Sequence, residues 1–256
     1  MTPEEMVSRL LYRDGMMLVI DKPAGMAVHR GSPNSKDRNR ESLEDHFDTL
    51  RFGLPRLPAL AHRLDRDTSG CLVLGRHRKA LAQLGKLFRN GTIDKTYWAM
   101  VEGVPDADEG VIELPLGRLD DKIGWWMKHD PQGQPAVTKW KVMGRASVSG
   151  QSLTWLSLEL LTGRTHQIRV HCSEMGWPVV GDGIYGSAPR FGGPGLQLQA
   201  RTIGVPLYKN REPVRVTAPV PEHMKERLTA CGWSGEDPSK FRMTAAETEV
   251  EIDAAQ

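Results

Sequence analysis

The nine residues His62–Gly70 have the sequence HRLDRDTSG and lie between the apolar segment LPALA and the apolar run Cys71–Leu74. Cations, carboxylates, hydroxyls and a glycine are thus concentrated between an apolar lead-in and an expected strand. Loops that carry binding or catalytic groups on a rigid scaffold have this composition. An ordinary turn, with Asp67, Thr68 and Ser69 bonded to backbone amides, has it too. Composition alone therefore leaves a catalytic loop and a structural turn open.

A second polar segment, Leu161–His171 or LTGRTHQIRVH, follows the strongly apolar run Leu153–Leu161. It places two arginines and two histidines at the start of an expected helix, which Thr165 can cap and Gly176 can end. Because helix N-termini attract anions, the segment is suited to a phosphate or carboxylate partner. A capped helix with a solvated basic face would have the same sequence.

Apolar periodicity around these two segments predicts strands with a few helices. A short apolar run stopped by KPAG indicates a strand that enters a turn, and leucines at helical spacing indicate a helix that Asn90-Gly91 ends. The predicted strands are Met17–Asp21, Cys71–Leu74, Thr96–Val101, Val137–Val142 and Leu153–Leu161, and the predicted helix is Lys79–Asn90. The pattern therefore predicts an α+β fold dominated by strands.

The composition is typical of a soluble globular protein, since 39% of the 256 residues are hydrophobic and 26% are charged. No stretch stays apolar for the roughly 20 residues that span a bilayer, and the start lacks a basic region followed by an apolar block. We therefore expect a cytoplasmic protein without a membrane partner. Cys71, Cys172 and Cys231 are isolated, so we expect small buried thiols and neither a disulfide framework nor a metal site.

The net charge of +2 conceals an uneven distribution. The last ten residues, ETEVEIDAAQ, carry four acids and no base, and without them 34 Lys+Arg stand against 28 Asp+Glu, a net charge of +6. Basic residues cluster in His29–Arg40, Arg76–Lys79 and Lys86–Lys95. Such clusters suit a polyanion, although they also occur as solvated faces.

The two polar segments together resemble a known family. HRLDRDTSG is similar to the signature of the RluA-type pseudouridine synthases, and TGRTHQIRVH is similar to the second motif of that family. Further similarity, in the same order along the chain, lies in Val19–Gly25, Lys95–Ala99 and Gly181–Gly186. Motifs in a fixed order and spacing are far more specific than one short pattern.

The resemblance implies an α+β pseudouridine synthase fold, with a long mixed, mostly antiparallel sheet, flanking helices and a central active-site cleft between two halves. It implies a catalytic domain over residues 10–221 and a C-terminal extension over 222–256 whose acidic tail we expect to be flexible. The opening strand begins almost at once, so the chain resembles the short family members that lack an N-terminal RNA-binding module. We expect a monomer.

The activity implied is the isomerisation of uridine in structured RNA, ribosomal or transfer, to pseudouridine. The bond from sugar to uracil nitrogen breaks, the bound base rotates, and it rejoins through C5, which requires no metal or organic cofactor. By resemblance, Asp65 is the catalytic carboxylate; it could attack the anomeric carbon, attack the uracil ring or remove a sugar proton. Arg169 matches the arginine that pairs with this aspartate, and Tyr97 the tyrosine that lies on the target base.

Other residues are expected to contact the RNA. A base in folded RNA must be flipped out to react, and Arg63, beside the nucleophile, resembles a residue suited to fill the gap and hold phosphate. Arg164 is a second phosphate candidate, although a solvated arginine would fit equally well. Lys22 of the KPAG turn and His62 complete the expected RNA-binding set, with His62 better suited to support the loop than to act as a base.

Three alternatives follow from other patterns. Gly181–Gly186 fits GxGxxG, but SAPRFGGPG after it cannot form the helix of a dinucleotide fold. Asp65–Thr68 imitates the DxDxT nucleophile of phosphoaspartyl hydrolases, which normally ends a buried apolar strand, whereas AHRL precedes it here. A non-catalytic RNA-binding protein on the same fold is the third. The Gly31–Arg40 loop, which we expect to be mobile, and the Trp125-Trp126 pair match no motif.

Overall fold

The computed structural model describes residues 1–30, 41–120, 125–190 and 192–235. Two units divide the described chain. The first contains Met1–Ile93 and Thr202–Pro219, and the second contains Asp94–Arg201 and Val220–Gly235. The expectations for the Gly31–Arg40 loop and for the acidic tail lie outside the described residues.

The first unit is an antiparallel sheet with two helices and one 3-10 helix. Its elements are α1 (Pro3–Ser8), β1 (Leu10–Arg13), β2 (Met17–Lys22), the 3-10 helix Leu43–Leu50, β3 (Ala59–Leu60), β4 (Ser69–Gly75) and α2 (Arg78–Arg89). The strand order is β1-β2-β4, and β3 pairs with β4. The strand β4 is buried along its whole length, which explains why its sequence is a continuous apolar run.

The second unit is built on longer antiparallel strands. Its elements are β5 (Asp94–Glu102), β6 (Glu109–Glu113), β7 (Leu116–Arg118), β8 (Met127–His129), β9 (Val137–Val148), β10 (Gln151–Leu160), α3 (Gln167–Glu174) and α4 (Glu222–Ala230). The sheet order is β5-β10-β9-β6, and β7 pairs with β8 in a separate hairpin. The strand β11 (Leu198–Val205) supplies residues to both units, and β12 (Val214–Thr217) pairs with its C-terminal half in the first unit.

Helix α2 shows why the local sequence folds as predicted. Its apolar residues Ala80 and Leu84 are buried, the His77 ring accepts a hydrogen bond from the Ala80 N–H at the N-cap, and Gly91 follows the helix at φ 67°. Gly75 lets the helix lie close to β4, because a Cβ there would be 2.9 Å from the Cα of Leu81. The predicted helix Lys79–Asn90 is thus confirmed with its start and end shifted by one residue.

Each unit has an apolar core that joins distant parts of the chain. The first core combines Leu11, Met17, Val19, Cys71, Val73, Leu84, Ile93, Ile203, Val205, Leu207, Val216 and Ala218. The second combines Met100, Leu153, Trp155, Val180, Val220, Met224, Leu228 and Cys231. Burial of Cys71, Cys172 and Cys231 confirms the interpretation of these residues as small apolar groups.

The predicted α+β class with a mostly antiparallel sheet and flanking helices is confirmed. All five predicted strands are present, and each extends beyond its predicted range at one or both ends, although the last ends one residue earlier, at Leu160. No helix in the described ranges is long and apolar enough to cross a membrane. The active-site cleft and the domain boundary at residue 221 stay predictions.

Candidate active site

The HRLDRDTSG segment forms a tight turn immediately before β4. The Thr68 N–H donates to the Asp65 carbonyl at 3.2 Å, so Arg66 and Asp67 occupy the centre of the turn. The Arg66 guanidinium donates twice to the Asp67 carboxylate, at 3.0 and 3.1 Å, while Thr68 and Ser69 are buried. The half-buried side chain of Asp65 is therefore carried by a turn with a fixed backbone rather than by a long loose loop.

His62, at the start of the HRLDRDTSG segment, contacts both β4 and α2. Its Nε2 accepts a hydrogen bond from the Val73 N–H of β4 at 3.0 Å, and its ring stacks on Phe88 of α2 with the ring centroids 4.4 Å apart. These contacts agree with a supporting role for His62, whereas its contact with RNA stays a prediction. Arg63, the next residue, is exposed.

Lys22, at the end of β2, is fully buried. Its ammonium donates to the carbonyls of Pro23, Met26 and Arg66 at 2.7, 2.8 and 2.8 Å. Three acceptors match the three protons of an ammonium, so Lys22 ties the KPAG turn to the loop that carries Asp65. The expectation that Lys22 contacts RNA is wrong, because a side chain with no exposed surface and three backbone partners cannot reach a phosphate.

Charge around Lys22 couples it to the same loop. Burial lowers the pKa of the Lys22 ammonium to about 7, while the negative charges of Asp67, Asp65 and Asp21 act in the opposite direction and favour the charged form. Lys22 therefore places an amine of lowered pKa against the backbone of the loop that carries the candidate nucleophile.

Replacing Lys22 by Met is expected to destabilise the protein by about 3 kcal/mol, because three carbonyl oxygens lose their donor. Urea unfolding monitored by circular dichroism measures the change. Lys79→Met, on the exposed side of α2, is the control and should shift stability by about 0.5 kcal/mol or less. Equal losses in the two variants would contradict a structural role for Lys22.

Tyr97 and Arg169 lie in the second unit, on β5 and α3. Tyr97 is buried and faces Leu158 of β10 in the strand register. Arg169 is buried in the first turns of α3, immediately after the TGRTHQ segment. Asp65 belongs to the first unit, and its pairing with Arg169 stays a prediction.

Arg169 forms a bidentate ion pair with Asp182. Its Nε and one terminal nitrogen each donate to a carboxylate oxygen at 2.7 Å, and 6% and 0% of the two side chains are exposed. Asp182 also accepts the N–H groups of Ile184 and Tyr185, at 2.9 and 3.0 Å. The carboxylate thus holds both the guanidinium and the following turn in fixed positions.

Asp182 is the functional residue that sequence reasoning missed. It lies in the GDGIYG segment, in which no residue was assigned a role from the sequence. Burial acts to raise the pKa of Asp182, but the hydrogen bonds and charge of Arg169, together with the two backbone N–H groups, outweigh burial and hold the pKa below its usual range. The available signal was the resemblance of this segment to the pseudouridine synthase loop that follows the second motif.

The start of α3 differs from the prediction. His166, not Thr165, is the N-cap, with a left-handed backbone at φ 54° and no side-chain capping bond. The backbone N–H of Arg164 instead donates to Gln167 Oε1 at 3.0 Å, so the first residue of the helix supports the segment before it. Left-handed backbone at a residue other than glycine is strained and persists only where its surroundings fix it.

Tyr185 supplies those surroundings. Its hydroxyl accepts the Met127 N–H at 2.9 Å and lies 2.7 Å from Nδ1 of His166, while the Arg169 guanidinium lies 5.1 Å from its ring centroid. The hydroxyl therefore links the His166 ring to the backbone of β8. The ring of Trp125, 56% exposed, meets His166 edge-on at 5.4 Å.

Replacing Tyr185 by Phe is expected to destabilise the protein by about 1 to 2 kcal/mol, because the Met127 N–H and His166 Nδ1 lose their shared partner. The imidazole nitrogen signals of His166 should also shift, because Nδ1 loses its hydrogen-bond partner. Long-range proton–nitrogen NMR measures these signals, and His62 provides an internal control that should not change. Unchanged nitrogen signals of His166 would contradict the hydrogen bond between Nδ1 and Tyr185.

Arg164 is half-buried, and its Nε donates to the Pro135 carbonyl at 3.0 Å. The contact tethers the base of the guanidinium to the loop before β9. Contact of Arg164 with phosphate stays a prediction.

The family model for RNA pseudouridylate synthase matches residues 16–174, a span that contains Asp65, Tyr97 and Arg169. The chain belongs to the RNA pseudouridylate synthase family. The predicted resemblance to the RluA-type enzymes is therefore confirmed, and with it an isomerase that acts on uridine in RNA.

Relatives and solved structures agree with this family. An RNA pseudouridine synthase of Zymomonas mobilis is 40% identical over 219 residues, which cover 85% of this chain and 95% of the relative. The ribosomal large subunit pseudouridine synthase C of Vibrio cholerae is 33% identical over 231 residues, covering 86% and 68%. Human RNA pseudouridylate synthase domain containing 1 superposes with a TM-score of 0.69 at 26% identity, covering 96% and 94%.

Proposed function

We propose that this isomerase modifies uridine in structured ribosomal RNA, with Asp65 as the nucleophile. The observation that carries the proposal is the presence of Asp65, Tyr97 and Arg169 at their motif positions within the matched span 16–174. Ribosomal RNA is preferred to transfer RNA because the similar Vibrio cholerae protein is a ribosomal large subunit pseudouridine synthase.

Asp65 has the attributes that the reaction requires. An ionised carboxylate must approach the sugar or the uracil ring, and a half-buried aspartate on a turn closed by the Thr68 N–H can keep a constant orientation. The buried Lys22 side chain donates to the Arg66 carbonyl of the same turn. These contacts support the assignment of Asp65 as the group that reacts.

Arg169 is proposed as the ion partner of Asp65. The guanidinium has five N–H donors, and the bidentate bond to Asp182 occupies two of them along one edge. The remaining donors pair with Asp65 and fix the orientation of its carboxylate. Tyr97 is proposed to place its ring against the uracil, which must stay bound while it rotates.

Arg63 and Arg164 are proposed to bind phosphates around the flipped nucleotide. Arg63 is exposed and adjoins Leu64 and Asp65, while Arg164 precedes the buried helix start at His166. We further propose a catalytic domain over residues 10–221 with an extension over 222–256, acting as a monomer in the cytoplasm.

Carbodiimide labelling and primer extension of total RNA, from cells with and without the gene, tests the function. A site that is lost on deletion and restored by the wild-type protein identifies the target, and its presence in 23S-type or transfer RNA decides between the two classes. A deletion strain with unchanged pseudouridine in both, and purified protein without activity on bulk unmodified RNA, would refute the proposal.

A further inference from the structure

Helix α2 presents four cations on one exposed face. Arg78, Lys79, Lys86 and Arg89 are all exposed. At about 100° per residue, the four side chains fall within an arc of roughly 100° around the helix axis. Ala80 and Leu84 on the opposite side are buried. The basic groups Arg76–Lys79 and Lys86–Lys95, which are separate in the sequence, therefore contribute to one surface, which we term the α2 basic face.

No acidic side chain of the described residues neutralises the positive charge of the α2 basic face. Residues 76–93, RHRKALAQLGKLFRNGTI, contain no Asp or Glu. Within the described ranges, no acidic side chain forms an ion pair with any of the four cations. The exposed cations of β9 differ, since Lys141 lies 3.8 Å from Glu109 and Arg145 lies 2.8 Å from Asp108. Uncompensated charge of this kind is complementary to a polyanion.

Two small residues lie on or beside the α2 basic face. Ala82 lies among the four cations, Gly85 lies at the edge next to Arg78 and Arg89, and a Cβ at Gly85 would be 3.3 Å from a terminal nitrogen of Arg89. Glycine inside a helix is less favourable than alanine by about 1 kcal/mol, so Gly85 lowers the stability of α2. Because Gly85 has no side chain, the Arg89 guanidinium lies close to the helix surface. The small side chain of Ala82 leaves room for a bulky ligand to approach the helix between the charges.

We propose that the α2 basic face binds the sugar–phosphate backbone of a helical segment in the RNA substrate. From Arg78 to Arg89 the face is about 16 Å long at 1.5 Å per residue. A nucleic-acid duplex presents one charge per roughly 1.7 Å of its axis, so a duplex offers several phosphates along this length. The inference rests on the proposed function only in assuming that the ligand is RNA.

Replacing all four cations by Gln tests the proposal, because Gln keeps helix propensity and removes charge. Binding of a labelled mixed-sequence RNA duplex of about 20 base pairs is measured by fluorescence anisotropy between roughly 50 and 200 mM salt. We expect the dependence of log Kd on log salt to weaken by about three to four, and affinity at low salt to fall by about tenfold or more. The substitutions are Arg78→Gln, Lys79→Gln, Lys86→Gln and Arg89→Gln.

A matched variant removes the same number of charges from surfaces that carry acidic partners. Its substitutions are Lys139→Gln, Lys141→Gln, Arg145→Gln and Lys225→Gln. The salt dependence of the matched variant should stay close to that of the wild type, because these cations lie beside carboxylates. Equal salt dependence in the α2 variant and the wild type, or equal weakening in both variants, would overturn the proposal. Circular dichroism and urea unfolding verify that both variants are folded.

The binding experiment needs no turnover, so the two proposals fail separately. If the wild-type protein forms pseudouridine and the α2 variant keeps full salt dependence, the proposed activity stands and RNA binding by the α2 basic face is refuted. If the wild-type protein is inactive but its salt dependence is lost in the α2 variant, RNA binding by the α2 basic face stands and the proposed function is refuted.

Discussion

Replacing Asp65 by Asn is expected to reduce turnover by roughly 10⁴-fold or more, the size of effect seen when a catalytic nucleophile is lost. The amide has nearly the same shape as the carboxylate, so the turn closed by the Thr68 N–H should remain. It has no negative charge, so it can neither attack the sugar or the uracil ring nor remove a sugar proton. Release of tritium from C5 of labelled uridine in RNA measures turnover, because C5 loses its hydrogen when it joins the sugar.

Asp67→Asn is the matched control, since Asp67 lies two residues away on the same turn and bonds to the exposed Arg66. Its effect on turnover should be much smaller than that of Asp65→Asn. Binding of RNA by Asp65→Asn should stay near the wild-type level. Comparable turnover in the two variants would show that Asp65 is not the nucleophile.

Replacing Asp182 by Asn is expected to lower the free energy of unfolding by about 3 to 5 kcal/mol, because the buried guanidinium of Arg169 would lose its counter-charge. The effect should depend on pH. The folded-state pKa of Asp182 is lowered, so its stabilisation is present above its unfolded pKa near 4 and is lost as pH falls through the folded value. Urea unfolding of wild type and Asp182→Asn between neutral and acidic pH measures both effects.

The gap in stability between the two proteins should therefore be widest near neutral pH and narrow in acid. Asp108→Asn is the control for a surface pair, because Asp108 bonds Arg145 with 81% of its side chain exposed. Its loss should be about 1 kcal/mol or less. A loss for Asp182→Asn that is no larger, or a gap that is constant across pH, would contradict the role given to the buried pair.

Patterns that depend on neighbouring residues were predictable from the sequence. The helix Lys79–Asn90 and the strand Leu153–Leu161 have apolar residues at the spacing that burial requires, and both are present. The family was identified by ordered motifs, because a catalytic loop restricts several consecutive residues at once. His62 was also correctly interpreted as a support of the loop.

Contacts between residues distant in sequence were not predictable. Thr165 was a suitable cap by residue type, but Tyr185 holds His166 in a left-handed conformation and moves the cap by one residue. Lys22 was expected to contact RNA, since nothing local shows that the Arg66 carbonyl completes its set of acceptors. Asp182 was missed because its role is to bind the Arg169 guanidinium, and Arg169 lies 13 residues earlier, on α3.

The interruption of the first unit by residues 94–201 has a consequence for synthesis. Its apolar core needs Ile203, Val205, Val216 and Ala218, which leave the ribosome long after Ile93. At roughly 5 to 20 residues per second, the 125 residues from 94 to 218 take about 6 to 25 s to translate. The second core likewise stays incomplete until Val220, Met224 and Leu228 have been translated. The nascent chain therefore exposes two unfinished apolar surfaces for seconds, so its yield in cells should depend on chaperones that shield them.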